Sequence, residues 1–322
     1  MKRYYPLLRR EAIRLAGPMA IILITLFTYL GNLGQDMAVE GRTFEHYGMY
    51  YNNMHPSNLL QPGYFVFAVC FGMALSLVQH FAERSSQSSL YWEMLPYSRW
   101  EKMYVKTMCA MVPVAVICVI GYKWMNGIVS ANADWIAQIN TSMPGLSRID
   151  DLLRTDRIMA HWMFLFAGAF SGYALITCLC QIFGTWWRAA LVGSMVFLIA
   201  ADTCRSGARS YIYWSSVVDG RERWFHVQDA RILVPEILVM LIAGAGMLFA
   251  AFVLEKKRPF ERTGHALYRP QMQGYVVGAL VILGILSTAV WSGIHPFIFV
   301  FVLAVIVLVT PFDLPKVFRF RR

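Results

Sequence analysis

Leu233-Val234-Pro235-Glu236-Ile237-Leu238-Val239-Met240-Leu241-Ile242-Ala243-Gly244-Ala245-Gly246-Met247-Leu248-Phe249-Ala250-Ala251-Phe252-Val253-Leu254 is a run of 22 residues in which Glu236 is the one formal charge. A bilayer core about 30 Å thick needs about 20 consecutive apolar residues from a crossing helix, and this run supplies them. The rest of the chain repeats the pattern. Hydrophobic residues make up 57% of the 322 and charged residues 15%, with a mean hydropathy of +0.48. Soluble domains carry about 25% charged residues. The composition excludes a secreted disulfide scaffold, a disordered tail and a nucleic-acid binder, and it reads as an all-α polytopic membrane protein.

Eight hydrophobic stretches stand out: Ala16–Leu33, Gly63–Ala82, Thr107–Met125, Ile158–Phe183, Ala189–Asp202, Leu233–Leu254, Gly274–Trp291 and Pro296–Phe312. No β-barrel alternation is present, and a segment in hydrocarbon must satisfy its own backbone, so each is expected to be a helix. The fifth is apolar for only about a dozen residues, shorter than the ~20 of a straight span; it reads as either a crossing or a re-entrant segment. With eight spans and both termini cytoplasmic, 19 Lys and Arg fall on inner segments and ten on outer ones, as the positive-inside rule requires. The exception is the outer loop between the fifth and sixth spans, with five arginines blunted by Asp219, Glu222 and Asp229. The +10 net charge therefore belongs to loops and not to a nucleic-acid footprint.

Met1–Arg14 is basic with Tyr4, Tyr5, Leu7, Leu8 and Ile13 interspersed, the pattern of an interfacial amphipathic elbow over residues 1–15 leading into an uncleaved first span. Internal repeats, low-complexity segments and a soluble domain are absent, so residues 1–322 read as one transmembrane domain with cytoplasmic loops at 83–106 and 255–273. Cys70, Cys109, Cys118, Cys178 and Cys180 lie inside spans as small hydrophobes; Cys204 is alone on the outer side, which rules out a disulfide framework.

The most informative loop joins the second and third spans and runs from Glu83 to Lys106. Its middle, Ser89–Leu95, is apolar-rich. Pro96 disfavours helix in the residue before it, so a helix should stop near Met94 or Leu95. Ser98 then begins another, with Glu101 completing an S-x-x-E capping box. The third span is expected to start in the cytosol and rise through Lys102 and Lys106. A short surface helix joined by a stiff corner to a span is a part that transmits a push. Tyr91 and Trp92 also suit plain anchoring at headgroup level, and Arg99 and Lys102 suit ordinary positive-inside placement.

The run Met94-Leu95-Pro96-Tyr97-Ser98-Arg99, preceded by Glu83 and followed by Lys106, resembles the first cytoplasmic loop of type II ABC exporter permeases. That resemblance covers some two dozen residues. It implies that Ser88–Leu95, with Leu90, Tyr91, Trp92, Glu93 and Met94, is a coupling helix docking on a separate ATPase subunit. Pro96, Ser98, Arg99 and Lys106 would be its hinge and anchor. It also implies a second permease subunit, ATP and Mg on the partner ATPases, no cofactor on this chain, cargo of amphipathic or peptide-like character, and a bacterial cytoplasmic membrane as the setting. Ser88-Ser89 replaces the small glycine-containing pattern common before the helix, and eight spans exceed the family's usual six. Pro259-Phe260-Glu261-Arg262-Thr263-Gly264-His265-Ala266 is similar to a segment in a branch of these permeases with extra C-terminal spans.

The chain has no G-x-x-x-x-G-K-S/T run, so any ATP hydrolysis must come from a partner. H-E-x-x-H and G-x-S-x-G are also missing. Charged and imidazole groups near span ends, namely His80, His161, Asp202 and Glu236, read mainly as locally paired or snorkelling groups, with Glu236 and Asp202 as candidates for a substrate pathway. Glu45-His46 and His55, near Met37, Met49 and Met54, are chemically suited to copper but lack fixed spacing and read as a solvated loop, so no metal is expected. Gly168–Gly172 and Ala243-Gly244-Ala245-Gly246 permit close helix approach, within the chain or between subunits. The rival functions are an ion- or proton-coupled secondary transporter, an intramembrane enzyme, and a scaffold that recruits partners.

Overall fold

The computed structural model describes residues 4–47, 63–84, 95–134, 136–137, 154–183, 186–194, 196, 211–218, 221–228 and 230–256. Five long helices carry the fold: α1 (Tyr5–Tyr47), α2 (Gly63–Arg84), α3 (Arg99–Ala131), α4 (Thr155–Ile182) and α5 (Ala230–Lys256). Among the described residues all five are long and apolar enough to cross a membrane. They coincide with the first, second, third, fourth and sixth stretches read from the sequence. The seventh and eighth, Gly274–Trp291 and Pro296–Phe312, lie outside the described residues. Ile21, Ile24, Val239, Ile242 and Phe249 point outward from α1 and α5, the arrangement expected where hydrocarbon is the solvent.

Contacts at the helix ends fix the directions. Leu7 of α1 packs on Val105 near the start of α3. Gln79, near the end of α2, reaches Glu11 and the Lys106 carbonyl. Gln181, near the end of α4, donates to the Met103 sulfur, and Arg99 donates to the carbonyl of Glu255 at the end of α5. One end of the bundle, here the corner end, thus gathers the starts of α1 and α3 and the finishes of α2, α4 and α5. Since α4 and α5 both finish there, the connection between them returns the chain to the far end. Residues 186–194 begin that return: Trp186 sits edge-on to Phe81 at 5.1 Å, and a Cβ on Gly193 would meet Ile176, further up α4. The fifth stretch, Ala189–Asp202, therefore starts from the corner end as a helix; its remainder lies outside the described residues.

Helix α4 is the central member, with 61% of its most apolar window inside the bundle against 17% for α1. Lipid tails are as apolar as leucine, so helix association in a bilayer rests on close packing and hydrogen bonds more than on a hydrophobic drive. Glycine supplies the close packing. A Cβ at Gly72 would run into the Ala169 carbonyl, and one at Gly172 into the Val69 carbonyl. Backbone therefore meets backbone between α2 and α4. The small-residue run Gly168–Gly172 serves this internal seam, and Gly244 similarly admits the Phe170 ring between α4 and α5. Ser171 adds a hydroxyl bond to the Met240 carbonyl at 3.0 Å.

One expectation needs correction, and two features add to the sequence reading. The N-terminal elbow is not a separate interfacial helix. Residues 5–15 continue unbroken into a 43-residue helix, about 65 Å long at 1.5 Å per residue. Leu7, Glu11, Leu15 and Met19 are buried in succession, a strict i+4 stripe that holds this first segment against the bundle. Second, Lys102 and Lys106, through which α3 rises, are each only 3% exposed, because their i, i+4 face of α3 turns toward the other helices. Third, the arginine-rich loop before α5 is not merely a loop. Strands β1 (Tyr211–Val218) and β2 (Arg221–Gln228) form an antiparallel hairpin in register from Tyr211↔Gln228 to Val218↔Arg221. The all-α reading holds for the spans, and this hairpin is a local addition to it. Aromatic and β-branched residues fill β1, and the two intervening sequence positions are Asp219-Gly220, a dipeptide favoured in two-residue hairpin turns.

The glycine seam predicts that Gly172→Val destabilises the detergent-solubilised protein by about 1–3 kcal/mol, as overpacking does, lowering the midpoint of heat-induced loss of the monodisperse species by several degrees. Gly246→Ala, where nothing lies within 4 Å of the added Cβ, leaves it unchanged or slightly raised.

Candidate functional site: the corner and the polar junction beneath it

The corner is built by local backbone chemistry. Leu95, Pro96 and Tyr97 form a bend in which the Tyr97 N–H donates to the Leu95 carbonyl at 2.7 Å. Ser98 follows with φ −63° and ψ 153°, an extended N-cap. Its hydroxyl accepts from the Glu101 N–H at 3.2 Å, and Glu101 Oε2 accepts from the Ser98 N–H at 2.7 Å. This is the reciprocal capping box read from the sequence. It satisfies two helix-end donors and ends the chain's turn sharply at residue 98.

Side chains then fasten the corner to two other helices. The Tyr4 hydroxyl donates to Glu101 Oε1 at 2.7 Å, and the Tyr4 and Tyr97 rings lie 6.2 Å apart. Leu95 and Tyr97 pack on the Leu7–Val105 cluster. On the other side Arg99 Nη1 donates to the Glu255 carbonyl at 3.3 Å, and the Trp100 ring stacks on Phe252 at 4.8 Å. A displacement of the corner thus acts directly on the first turns of α1 and the last turns of α5.

Beneath it lies a buried polar junction. Gln79 Nε2 donates to the Lys106 carbonyl at 3.1 Å and, more weakly, to Glu11 Oε2 at 3.4 Å; Gln79 Oε1 accepts from the Tyr173 hydroxyl at 2.9 Å. Glu11 is fully buried and is paired with Arg14 Nη1 at 2.8 Å. Ser76 and Thr177 share a hydrogen bond at 2.8 Å, and His80 Nδ1 lies 2.8 Å from the Ser76 carbonyl. In a medium that offers no competing water, such bonds gain strength and their loss leaves costly unpaired groups. The junction therefore joins α1, α2, α3 and α4 at the level of the corner.

Of the residues singled out in the sequence, Leu95, Pro96, Ser98, Arg99 and Lys106 are brought together here. Ser88, Leu90, Tyr91, Trp92, Glu93 and Met94 lie outside the described residues, as do Asp202, His55 and Cys204. Glu236 sits at the far end, beside Ile237, which packs on Ala160 and Phe164 of α4; it is not part of the corner. His161 is buried near the start of α4 with Tyr64 edge-on at 6.3 Å. Sequence reasoning missed Glu11, Gln79 and Tyr173. Part of the signal was present as Ser76, Gln79 and His80 on one face of α2 and as Lys102 and Lys106 on one face of α3, polar pairs at helical spacing near span ends. Comparison with protein-family models, curated proteins and solved structures brings no match to this chain.

The Tyr4–Glu101 bond predicts that α1 and the corner are energetically coupled. In a double-mutant cycle with Tyr4→Phe and Glu101→Gln, read by chemical denaturation in mixed micelles, the coupling energy should be about 1 kcal/mol. Strict additivity would mean that the two groups do not meet.

Proposed function

We propose that this chain is the permease subunit of an ATP-driven ABC exporter, working in a cell membrane with a second permease subunit and two separate ATPase subunits. The observation that carries the reading is the corner at Leu95–Arg99: a proline bend and a capping box that stand at the motif resembling the family's coupling loop and are bonded to both α1 and α5. ATP closes the ATPase dimer, the dimer displaces the helix preceding Pro96, and the bend passes that displacement into α3. From there it spreads to α1 through Tyr4 and to α5 through Glu255 and Phe252. The polar junction makes α2 and α4 follow. Access to the cargo then alternates between the two sides of the membrane, with the cargo crossing between the two permeases. The chain lacks a phosphate-cradling glycine loop, so hydrolysis belongs to the partners. Amphipathic or peptide-like cargo suits the apolar interior.

A second reading, an ion-coupled transporter working without an ATPase, draws on the burial of Glu11, Lys102 and Lys106, since ionisable groups within a membrane bundle mark ion pathways in many carriers. Their clustering at one end, with Glu11 held by Arg14, favours a structural task.

Two measurements separate the readings. Affinity purification of the detergent-solubilised chain from its own host should recover an ATPase, and Glu93→Ala combined with Arg99→Ala should lower ATP-dependent export at least tenfold. Purification without any ATPase, together with gradient-driven transport in liposomes holding this chain alone, would replace the exporter with the ion-coupled carrier.

A further inference from the structure

The hairpin that precedes α5 is tied to the membrane by its own chain. Strand β2 ends at Gln228 and α5 starts at Ala230, so a single residue joins them. The apolar run of α5 starts at Leu233, a rise of about 5 Å further along the helix. The open end of the hairpin therefore stands within about 10 Å of the hydrocarbon boundary at the far end of the bundle. Its strands of eight residues extend about 25 Å from there. A lone two-stranded hairpin is marginally stable in water and needs a surface to lie on.

The register decides what each side of the hairpin offers. Residues paired across an antiparallel ladder share a face, and successive residues alternate between faces. Tyr211↔Gln228, Tyr213↔His226, Ser215↔Trp224 and Val217↔Glu222 make up one face. Ile212↔Val227, Trp214↔Phe225, Ser216↔Arg223 and Val218↔Arg221 make up the other. The first face mixes hydroxyl, amide, imidazole and carboxyl groups with its aromatics. The second is apolar in its two pairs nearest the open end, and it holds two arginines near the turn and no acidic residue. Glu222, counted against the arginines when the sequence is read alone, belongs to the first face.

Aromatic residues favour the membrane–water interface, and arginine is suited to bidentate phosphate binding. An apolar base followed by a cationic tip matches what a strip leaving a span at a slant would cross, the acyl boundary first and the phosphates after it. We propose that the second face of the hairpin is a docking surface for anionic phospholipid, with positions Ile212, Trp214, Phe225 and Val227 at the acyl boundary and positions Arg221 and Arg223 at the phosphates. The lipid surface adjoins the base of the hairpin in every state of the protein, which favours it over a protein occupant. The site belongs to this chain alone and stands whether or not an ATPase partners it.

The test uses the full chain, with native cysteines replaced, in nanodiscs of phosphatidylcholine and phosphatidylglycerol. A spin label is placed singly at each of residues 211 to 216. Its exposure to oxygen, which concentrates in lipid, is compared with its exposure to a water-soluble nickel chelate. Oxygen should dominate at Ile212, Trp214 and Ser216, and the nickel chelate at Tyr211, Tyr213 and Ser215. Nanodiscs of phosphatidylcholine alone should lower the oxygen-to-nickel ratio at Ser216 several-fold. Arg221→Gln combined with Arg223→Gln should do the same in the mixed lipid, since each cation near an anionic surface contributes about fivefold to binding. Should a label at an aromatic position unfold the hairpin, Ser215 and Ser216, one on each face, decide alone. Nickel access on both faces, exclusion of both reagents from the second face by a covering protein or a second copy, or a ratio at Ser216 indifferent to anionic lipid would overturn the proposal.

Discussion

The amide side chain of Gln79 is the point on which the corner end of this bundle depends. Its nitrogen serves the Lys106 carbonyl on α3 and Glu11 on α1, its oxygen takes the Tyr173 hydroxyl on α4, and its own backbone belongs to α2. Four helices meet at one residue. In water such an amide would exchange these bonds for solvent at little cost. In a bilayer there is nothing to exchange with, and an unpaired polar group carries the full cost of its desolvation. The junction therefore favours one arrangement of the helix ends over the many sliding arrangements that apolar surfaces in lipid would tolerate.

The glycine seam and the junction complete each other. Gly72 and Gly172 let the backbones of α2 and α4 touch, which sets the depth at which Tyr173, the residue after Gly172, reaches Gln79 two turns beyond Gly72. With α4 so held, the corner at Pro96 and Ser98 is attached to a firm base instead of hinging freely. A force applied before Pro96 then has two routes, through the Tyr4–Glu101 bond into α1 and through Arg99 and Trp100 into α5. The far half of the bundle contains an apolar cavity lined by α1 to α4.

Patterns confined to a few consecutive residues were legible in the sequence. Five spans follow from apolar length alone, the Ser98–Glu101 box from residues three apart, and the close approach near Gly168–Gly172 from a run of small side chains. The junction was not legible, because its members lie on four helices and no local pattern says which polar residues will face one another. The burial of Lys102 and Lys106 escaped for the same reason: positive-inside counting assigns a side of the membrane and not a face of a helix. The elbow failed because an amphipathic stripe is the same whether it faces headgroups or a neighbouring helix; Leu7, Glu11 and Leu15 face a neighbour. The hairpin was missed although Asp219-Gly220 stood between two aromatic-rich runs, because a hydropathy reading passes over short strands.

Electron spin resonance distance measurement across the corner end tests the clamp most directly. With native cysteines replaced, spin labels at the outward-facing positions Ile13 on α1 and Tyr104 on α3 report how firmly the two helix starts are held. A narrow distance distribution that broadens markedly in Gln79→Leu, with helix content retained, is the result the account predicts. A distribution equally narrow without the Gln79 amide would show that the corner is held by packing alone and that the polar junction has no part in transmitting force.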